Sequence, residues 1–136
     1  MFFGSALVST VAVADVAQGV SAGEITESSA VIWSRYHRAA TMYVAYSPAT
    51  GVSEVLEART RNDEANDFTA QVTLTDLQPG TQYRYEVSFK SKGKRSNTVA
   101  GLFRTAPTAS ESRDVTLVFS GDLAGEYATY MVAALW

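Results

Sequence analysis

Residues 77–89, L-Q-P-G-T-Q-Y-R-Y-E-V-S-F, decide the fold of this chain. Its Pro-Gly pair predicts a tight turn, because proline fixes one backbone dihedral and glycine accepts a positive φ. After the turn, large apolar residues alternate with polar ones, which is the pattern of a strand with one buried face. The aromatic-rich face consists of Tyr83, Tyr85, Val87 and Phe89.

The same stretch has the spacing Leu-x-Pro-Gly-Thr-x-Tyr, which is typical of a tyrosine corner. In that motif the ring lies at the edge of the core, and its hydroxyl bonds to backbone a few residues upstream. We therefore predict structural roles for Leu77, Pro79, Gly80 and Tyr83. This prediction concerns the fold and assigns no chemistry to these residues.

Composition limits the classes of function that remain open. The chain has 136 residues, which favours one domain, and its net charge of −3 argues against a nucleic-acid partner. It contains no cysteine, which excludes a disulfide framework and thiolate metal sites. The single histidine, His37, falls in a predicted loop, and the sequence identifies no residue that would complete a catalytic triad with it, so we do not assign it as a general base.

The first 15 residues form an apolar segment that is too short to span a bilayer. The segment resembles the end of a secretory signal, with small residues at Ala12 and Ala14 before Asp15. It lacks the Lys or Arg that precedes the apolar part of such a signal. Two interpretations stay open: a signal remnant, or a first β-strand.

Residues 16–106 contain seven short segments with strand character, separated by turn signals. This pattern predicts an all-β, antiparallel β-sandwich. The segments are 16–25, 29–36, 41–47, 54–60, 68–74, the strand within 77–89, and 98–105. We expect the segments 16–25 and 54–60 to be edge strands, the second because it is charged. We expect Trp33 to be a core anchor beneath the sheets.

The turn predicted between the last two strands is rich in cations. Lys90, Lys92, Lys94 and Arg95 all fall within or beside it. The favoured interpretation is a solvated hairpin tip, and the alternative is a surface that attracts anionic substrate.

The tail differs from the rest of the chain. Residues 107–114 form a polar linker, and the apolar run V-T-L-V-F that follows at 115–119 is typical of a strand buried on both faces. Ser-Gly-Asp at 120–122 then precedes a helical pattern that continues to Trp136. We expect residues 115–136 to be the truncated start of a second domain.

In this order the segments resemble PhoD-like alkaline phosphatases and phosphodiesterases. Residues 19–35 resemble the entry segment of their fibronectin-type-III-like N-terminal domain, and 67–74, 77–85 and 103–107 continue the same pattern. Residues 115–122 resemble the first strand and metal-ligand turn of the metallophosphoesterase domain that follows. The resemblance implies a fibronectin-type-III/immunoglobulin-like sandwich over 16–106.

The resemblance also implies secreted or periplasmic hydrolysis of phosphate esters at a two-metal site. Asp122 matches one ligand position, where a carboxylate suits a hard cation and bridging metals activate water. Some members carry cysteine there, so Ca, Fe, Mn and Zn all remain open for the full-length enzyme. The other family ligands have no counterparts here, so we expect no cofactor and no activity in this chain alone. Asp122 as a helix N-cap is the structural alternative.

Two functions are consistent with these features of the sequence. The first is a non-catalytic accessory domain that docks beside the active site of a secreted phosphoesterase, with the rest of the catalytic domain as its partner. The alternative is a stand-alone fibronectin-type-III-like adhesion or protein-binding module. The apolar segments 1–13 and 115–136 cannot both be exposed to water, so we also expect a homo-oligomer. We expect no transmembrane segment, because the apolar runs are too short to span a bilayer.

Overall fold

The computed structural model describes residues 19–111 and residue 114, and these form two packed antiparallel sheets. The first sheet has three strands in the order β1-β2-β5. They are β1 (Val20–Gly23), β2 (Ala30–Arg35) and β5 (Thr69–Leu74). All the pairings in this sheet are antiparallel, as the sequence predicts.

The second sheet has five strands, in the order β4-β3-β6, with β7 and β8 both paired to β6. They are β3 (Ala40–Pro48), β4 (Leu56–Asn62), β6 (Gln82–Ser91), β7 (Lys94–Arg95) and β8 (Val99–Arg104). The two-residue β7 lies within the predicted hairpin turn, and a 3-10 turn, Glu64–Asn66, precedes β5. As predicted, β1 and β4 lie at sheet edges.

The core lies between the sheets and takes every second side chain from the central strands. Strand β3 contributes Met42 and Val44, and β6 contributes Val87 and Phe89, all fully buried. These alternations are the ones that the sequence indicates, because period 2 places one apolar set on the inner face. The all-β sandwich is therefore confirmed.

The prediction that Trp33 anchors the core is wrong. Strand β2 turns Ala30, Ile32 and Ser34 inward, so period 2 places Trp33 on the outer face, where it is partly exposed. There it lies between Ser21 of β1 and Gln71 of β5 in the sheet register. The buried aromatic that follows β2 is Tyr36, whose ring stacks on Phe89 with centroids 4.6 Å apart.

Several predicted features lie outside the described residues. These are the N-terminal segment 1–15, the strand and helix expected at 115–136, and Asp122 within them. The expected second domain therefore stays a prediction. Across residues 19–111, none of the helical structure is both long and apolar enough to cross a membrane.

Candidate functional site

The tyrosine corner is present and lies at one end of the sandwich. The Tyr83 side chain is 4% exposed, and its hydroxyl accepts a hydrogen bond from the Gln78 backbone N–H at 2.9 Å. The ring stacks on Phe103 of β8 with centroids 5.4 Å apart. Gly80 has a φ of +59°, as the turn requires. The corner thus fixes the turn before β6 against the strand that ends the sandwich.

Thr105, directly after β8, fastens the end of the sandwich to this turn. Its hydroxyl donates to the Gln78 carbonyl at 2.6 Å and accepts from the Thr81 N–H at 2.9 Å. Its own backbone N–H donates to the Thr81 carbonyl at 3.0 Å. Because Thr105 is only 1% exposed, water competes little for these bonds.

Ala106 extends the connection to a third segment, the turn between β1 and β2. Its N–H donates to the Thr26 carbonyl at 3.0 Å, and its carbonyl accepts from the Gly80 N–H at 2.9 Å. The Leu77 N–H donates to the Ser28 carbonyl at 3.0 Å, which joins the two turns directly. We call the unit of residues 26–29, 77–81 and 105–106 the exit clamp. It holds the last residues of the sandwich at a fixed position, and Pro107 further restricts the residue before it.

The structure does not bring the predicted chemical groups together at this clamp. His37 lies in the exposed loop between β2 and β3, at the opposite end, with its ring 4.3 Å from that of Tyr36. The hairpin cations Lys92 and Lys94 also lie at that end. Within residues 19–111 and at 114, no group of three or more His, Cys, Asp or Glu could hold a metal ion.

Electrostatic coupling within the described residues is local. Arg35 and Asp67 form an ion pair with a nitrogen–oxygen distance of 2.9 Å. The hydrogen bond from Arg35, and then its charge, lowers the pKa of the Asp67 carboxyl. Burial raises the pKa of Tyr85 in the core. Neither shift creates a group that titrates near neutral pH.

Sequence reasoning missed the parts that Thr26 and Thr105 play in the clamp. A local signal exists for Thr26, because its hydroxyl accepts from the N–H groups of Ser28 and Ser29, as threonine does in such turns. For Thr105 the sequence offers only its place in F-R-T-A-P. Its partners lie 24 and 27 residues away, so spacing alone could not reveal them.

Comparison with known proteins gives a consistent answer. Residues 5–107 match the family described as PhoD-like phosphatase, N-terminal domain. The search of curated proteins found no significant match. The fn3 domain of human collagen alpha-1(XX) chain is 25% identical, with a TM-score of 0.58 over 78% of this chain and 99% of that chain.

Two further solved structures share the sandwich. A two-domain fibronectin type-III segment of chicken tenascin is 25% identical, with a TM-score of 0.52 over 65% of this chain and 49% of that chain. A structure of PhoD is 17% identical, with a TM-score of 0.54 over 66% of this chain. The match spans only 19% of the PhoD chain, so this likeness concerns the fold of one part of it.

Proposed function

Because the chain belongs to the family of PhoD-like phosphatase N-terminal domains, we propose that it is the non-catalytic accessory domain of a metal-dependent phosphomonoesterase or phosphodiesterase. The observation that carries this proposal is the family match over residues 5–107, which includes every described strand. The partner of the domain is then the catalytic domain that follows it in the same protein.

The exit clamp supports this role mechanically. An accessory domain that shapes the entrance to an active site must hold a defined position relative to that site. In this chain the residues that lead out of the sandwich are joined to two separate turns by hydrogen bonds, and those of the Thr105 hydroxyl are partly buried. The linker that the sequence predicts, residues 107–114, is short and would limit motion between the two domains.

The catalytic metals belong to the rest of the proposed enzyme. Ca, Fe, Mn and Zn are the candidates, and Asp122 is the residue of this chain proposed as one ligand. The residues described here do not fit a metal centre, so no catalytic step is assigned to them. We propose that the chain alone does not hydrolyse phosphate esters, and that the whole protein is secreted or periplasmic.

Sequencing the gene beyond the codon for Trp136 tests the accessory role directly. We expect Gly-Asp-x-x-Asp and Gly-Asn-His stretches downstream, since these supply the remaining carboxylate, amide and imidazole ligands. A stop codon, or a following domain without such ligands, would refute the phosphoesterase assignment. It would favour the stand-alone adhesion or binding module instead.

A colorimetric phosphatase assay tests the inactivity of the chain alone. Purified residues 1–136 should give no turnover of a phosphomonoester or a phosphodiester, with or without added Ca²⁺, Mn²⁺, Fe³⁺ or Zn²⁺. The matched control is the protein extended through its downstream domain, which should turn over substrate only with metal. Metal-dependent turnover by residues 1–136 would contradict the non-catalytic role.

A further inference from the structure

The outer face of the five-stranded sheet carries a row of cations that comes from three different strands. The sheet register places Arg61 of β4, Thr41 of β3, Lys90 of β6 and Arg95 of β7 side by side. All three cations are exposed. No basic run of the sequence shows this row, because Arg61 and Lys90 become neighbours only through β3.

A second row on the same face, two residues further along each strand, has the aromatic ring of Tyr43 at its centre. Tyr43 is flanked in register by Arg59 and Ser88. The Arg95 guanidinium lies over the Tyr43 ring, 4.3 Å from its centroid. Ser88 is only 5% exposed although its neighbours place it on the outer face, so this part of the surface is well packed. The contact between the Arg95 guanidinium and the Tyr43 ring is a cation–π interaction, which helps to hold the guanidinium in place.

The cations of these two rows are not neutralised by ion pairs in the described part of the chain. Within the part of the chain that the structure describes, Arg59, Arg61 and Lys90 form no ion pair. The acidic residues closest in register are Glu57 and Glu86, which flank Ala45 in the following row, and Glu86 is already paired with Arg84. Asp63 and Glu64 come after β4, in the adjoining turn.

The rows are basic on a protein that is acidic overall. The net charge is −3, yet this face and the adjoining hairpin hold six of the 11 Lys and Arg residues. These are Arg59, Arg61, Lys90, Lys92, Lys94 and Arg95. Charge concentrated in this way attracts anions to one side of a molecule.

We propose that this cationic face, which consists of Arg59, Arg61, Lys90 and Arg95 around Tyr43, binds polyphosphate, an extended soluble polyanion made of linked phosphate groups. Three of its four cations are arginines, and a planar guanidinium group can donate two parallel hydrogen bonds to two oxygens of one phosphate. Four adjacent strands span roughly 14 Å across the row, since neighbouring strands are about 4.8 Å apart. That length exceeds one phosphate group and suits several along a chain.

The arrangement favours a soluble polymer over a membrane surface. Peripheral membrane binding is strengthened by apolar side chains that enter the bilayer beside the cations. The large apolar side chains that are exposed among the described residues are Ile25, Val52, Val55, Leu56 and Leu102. Leu102 is on the outer side of the same sheet, but it lies opposite Arg84 at the other end, and none of the five belongs to the two cationic rows. The proposal goes beyond the accessory role and rests on the sheet surface alone.

Binding of inorganic polyphosphate to the full chain tests this proposal. Arg59→Gln/Arg61→Gln should weaken binding by about tenfold or more at low salt and reduce its salt dependence, because two phosphate contacts are lost. The matched control is Arg84→Gln/Arg104→Gln, which removes two charges from the same sheet at its other end and should change affinity less than twofold. Circular dichroism and thermal unfolding confirm that each variant is folded.

Each alternative result has a defined meaning. Equal loss in the two double variants would overturn the site, because only net charge would then matter. If orthophosphate competes for the face as well as polyphosphate does at equal phosphate concentration, the claim that the face requires an extended ligand would be overturned. Binding to phosphatidylglycerol vesicles, or to single-stranded DNA, in preference to polyphosphate would overturn polyphosphate as the ligand. A missing downstream phosphatase would leave the polyphosphate result unchanged, so the two proposals fail separately.

Discussion

At the scale of single residues, the Tyr83 hydroxyl contributes one well-formed hydrogen bond at the edge of the core, to the Gln78 N–H. Tyr83→Phe keeps the ring and its stacking on Phe103 but removes this acceptor. We expect the free energy of unfolding to fall by about 1 kcal/mol, the usual net value of such a bond. Chemical denaturation measures the change.

Tyr43→Phe is the control for that substitution. Its ring lies on the outer face, and the structure of residues 19–111 shows no hydrogen bond from its hydroxyl. We expect a smaller change there. An unaltered denaturation midpoint for Tyr83→Phe would show that the corner hydrogen bond does not stabilise the fold.

The Arg35–Asp67 pair predicts a small pH dependence. The hydrogen bond from Arg35 lowers the pKa of Asp67 in the folded protein below its unfolded value of about 4. The stability that the pair adds is therefore fully present above that value, and it disappears as the pH falls through the folded pKa. The Asp67 side chain is 77% exposed and that of Arg35 is 31% exposed, so solvent screens the pair and the contribution is modest.

Thermal unfolding of the wild type and Asp67→Asn between pH 7 and pH 2 measures this contribution. Asparagine tolerates the left-handed backbone at this position, where φ is +50°, so the comparison isolates the charge. The two unfolding temperatures should differ at neutral pH and converge in acid. A difference that is constant down to pH 2 would contradict the depressed pKa.

At the scale of elements, the pairing of β6 with β8 depends on a glycine beneath an aromatic ring. Gly101 lies opposite Tyr85, and a Cβ added at Gly101 would lie 2.7 Å from Cε1 of that ring. Gly101→Ala should therefore cost about 1–3 kcal/mol through overpacking. Gly23→Ala in β1, where nothing lies within 4 Å of the new Cβ, is the matched control. Equal denaturation midpoints for the two variants would rule out close packing at Gly101.

The exit clamp connects β8 to the turn before β6, and Thr105→Val tests it. Valine keeps the shape of threonine but leaves the Thr81 N–H and the Gln78 carbonyl without their buried partner. We expect a loss of about 1–3 kcal/mol. Thr73→Val, on the exposed side of β5, should be nearly neutral. Hydrogen exchange should also show faster exchange at Thr81 in Thr105→Val, and unchanged protection there would argue against the clamp.

At the scale of the whole molecule, the two apolar terminal segments predict self-association. The described sandwich encloses its own core. Residues 1–13 and 115–136, by contrast, carry apolar runs, and the sequence predicts no other segment of this chain that would bury them. Light scattering of residues 1–136 should therefore show oligomers at high concentration. A chain limited to residues 16–114 should stay monomeric, and a clean monomer of the longer chain would contradict the prediction.

The sequence by itself determined the features that depend on neighbouring residues. The turn at Pro79-Gly80, the alternating strand after it and the tyrosine corner follow from local backbone limits and period 2. The edge positions of β1 and β4 were also readable, from glycine and charge content. These short-range signals were enough to specify an all-β sandwich.

Only the tertiary structure decided which surfaces those strands present. Alternation shows that β2 has two faces, but packing against the opposite sheet turned Ile32 inward and Trp33 outward. The exit clamp and the cationic face likewise join segments that are far apart in the chain, through Thr105 and through the register of Arg61 with Thr41. The physical reason is that alternation gives a strand two faces, whereas the strands that become its neighbours, and the face that they cover, depend on pairing between segments far apart in the chain.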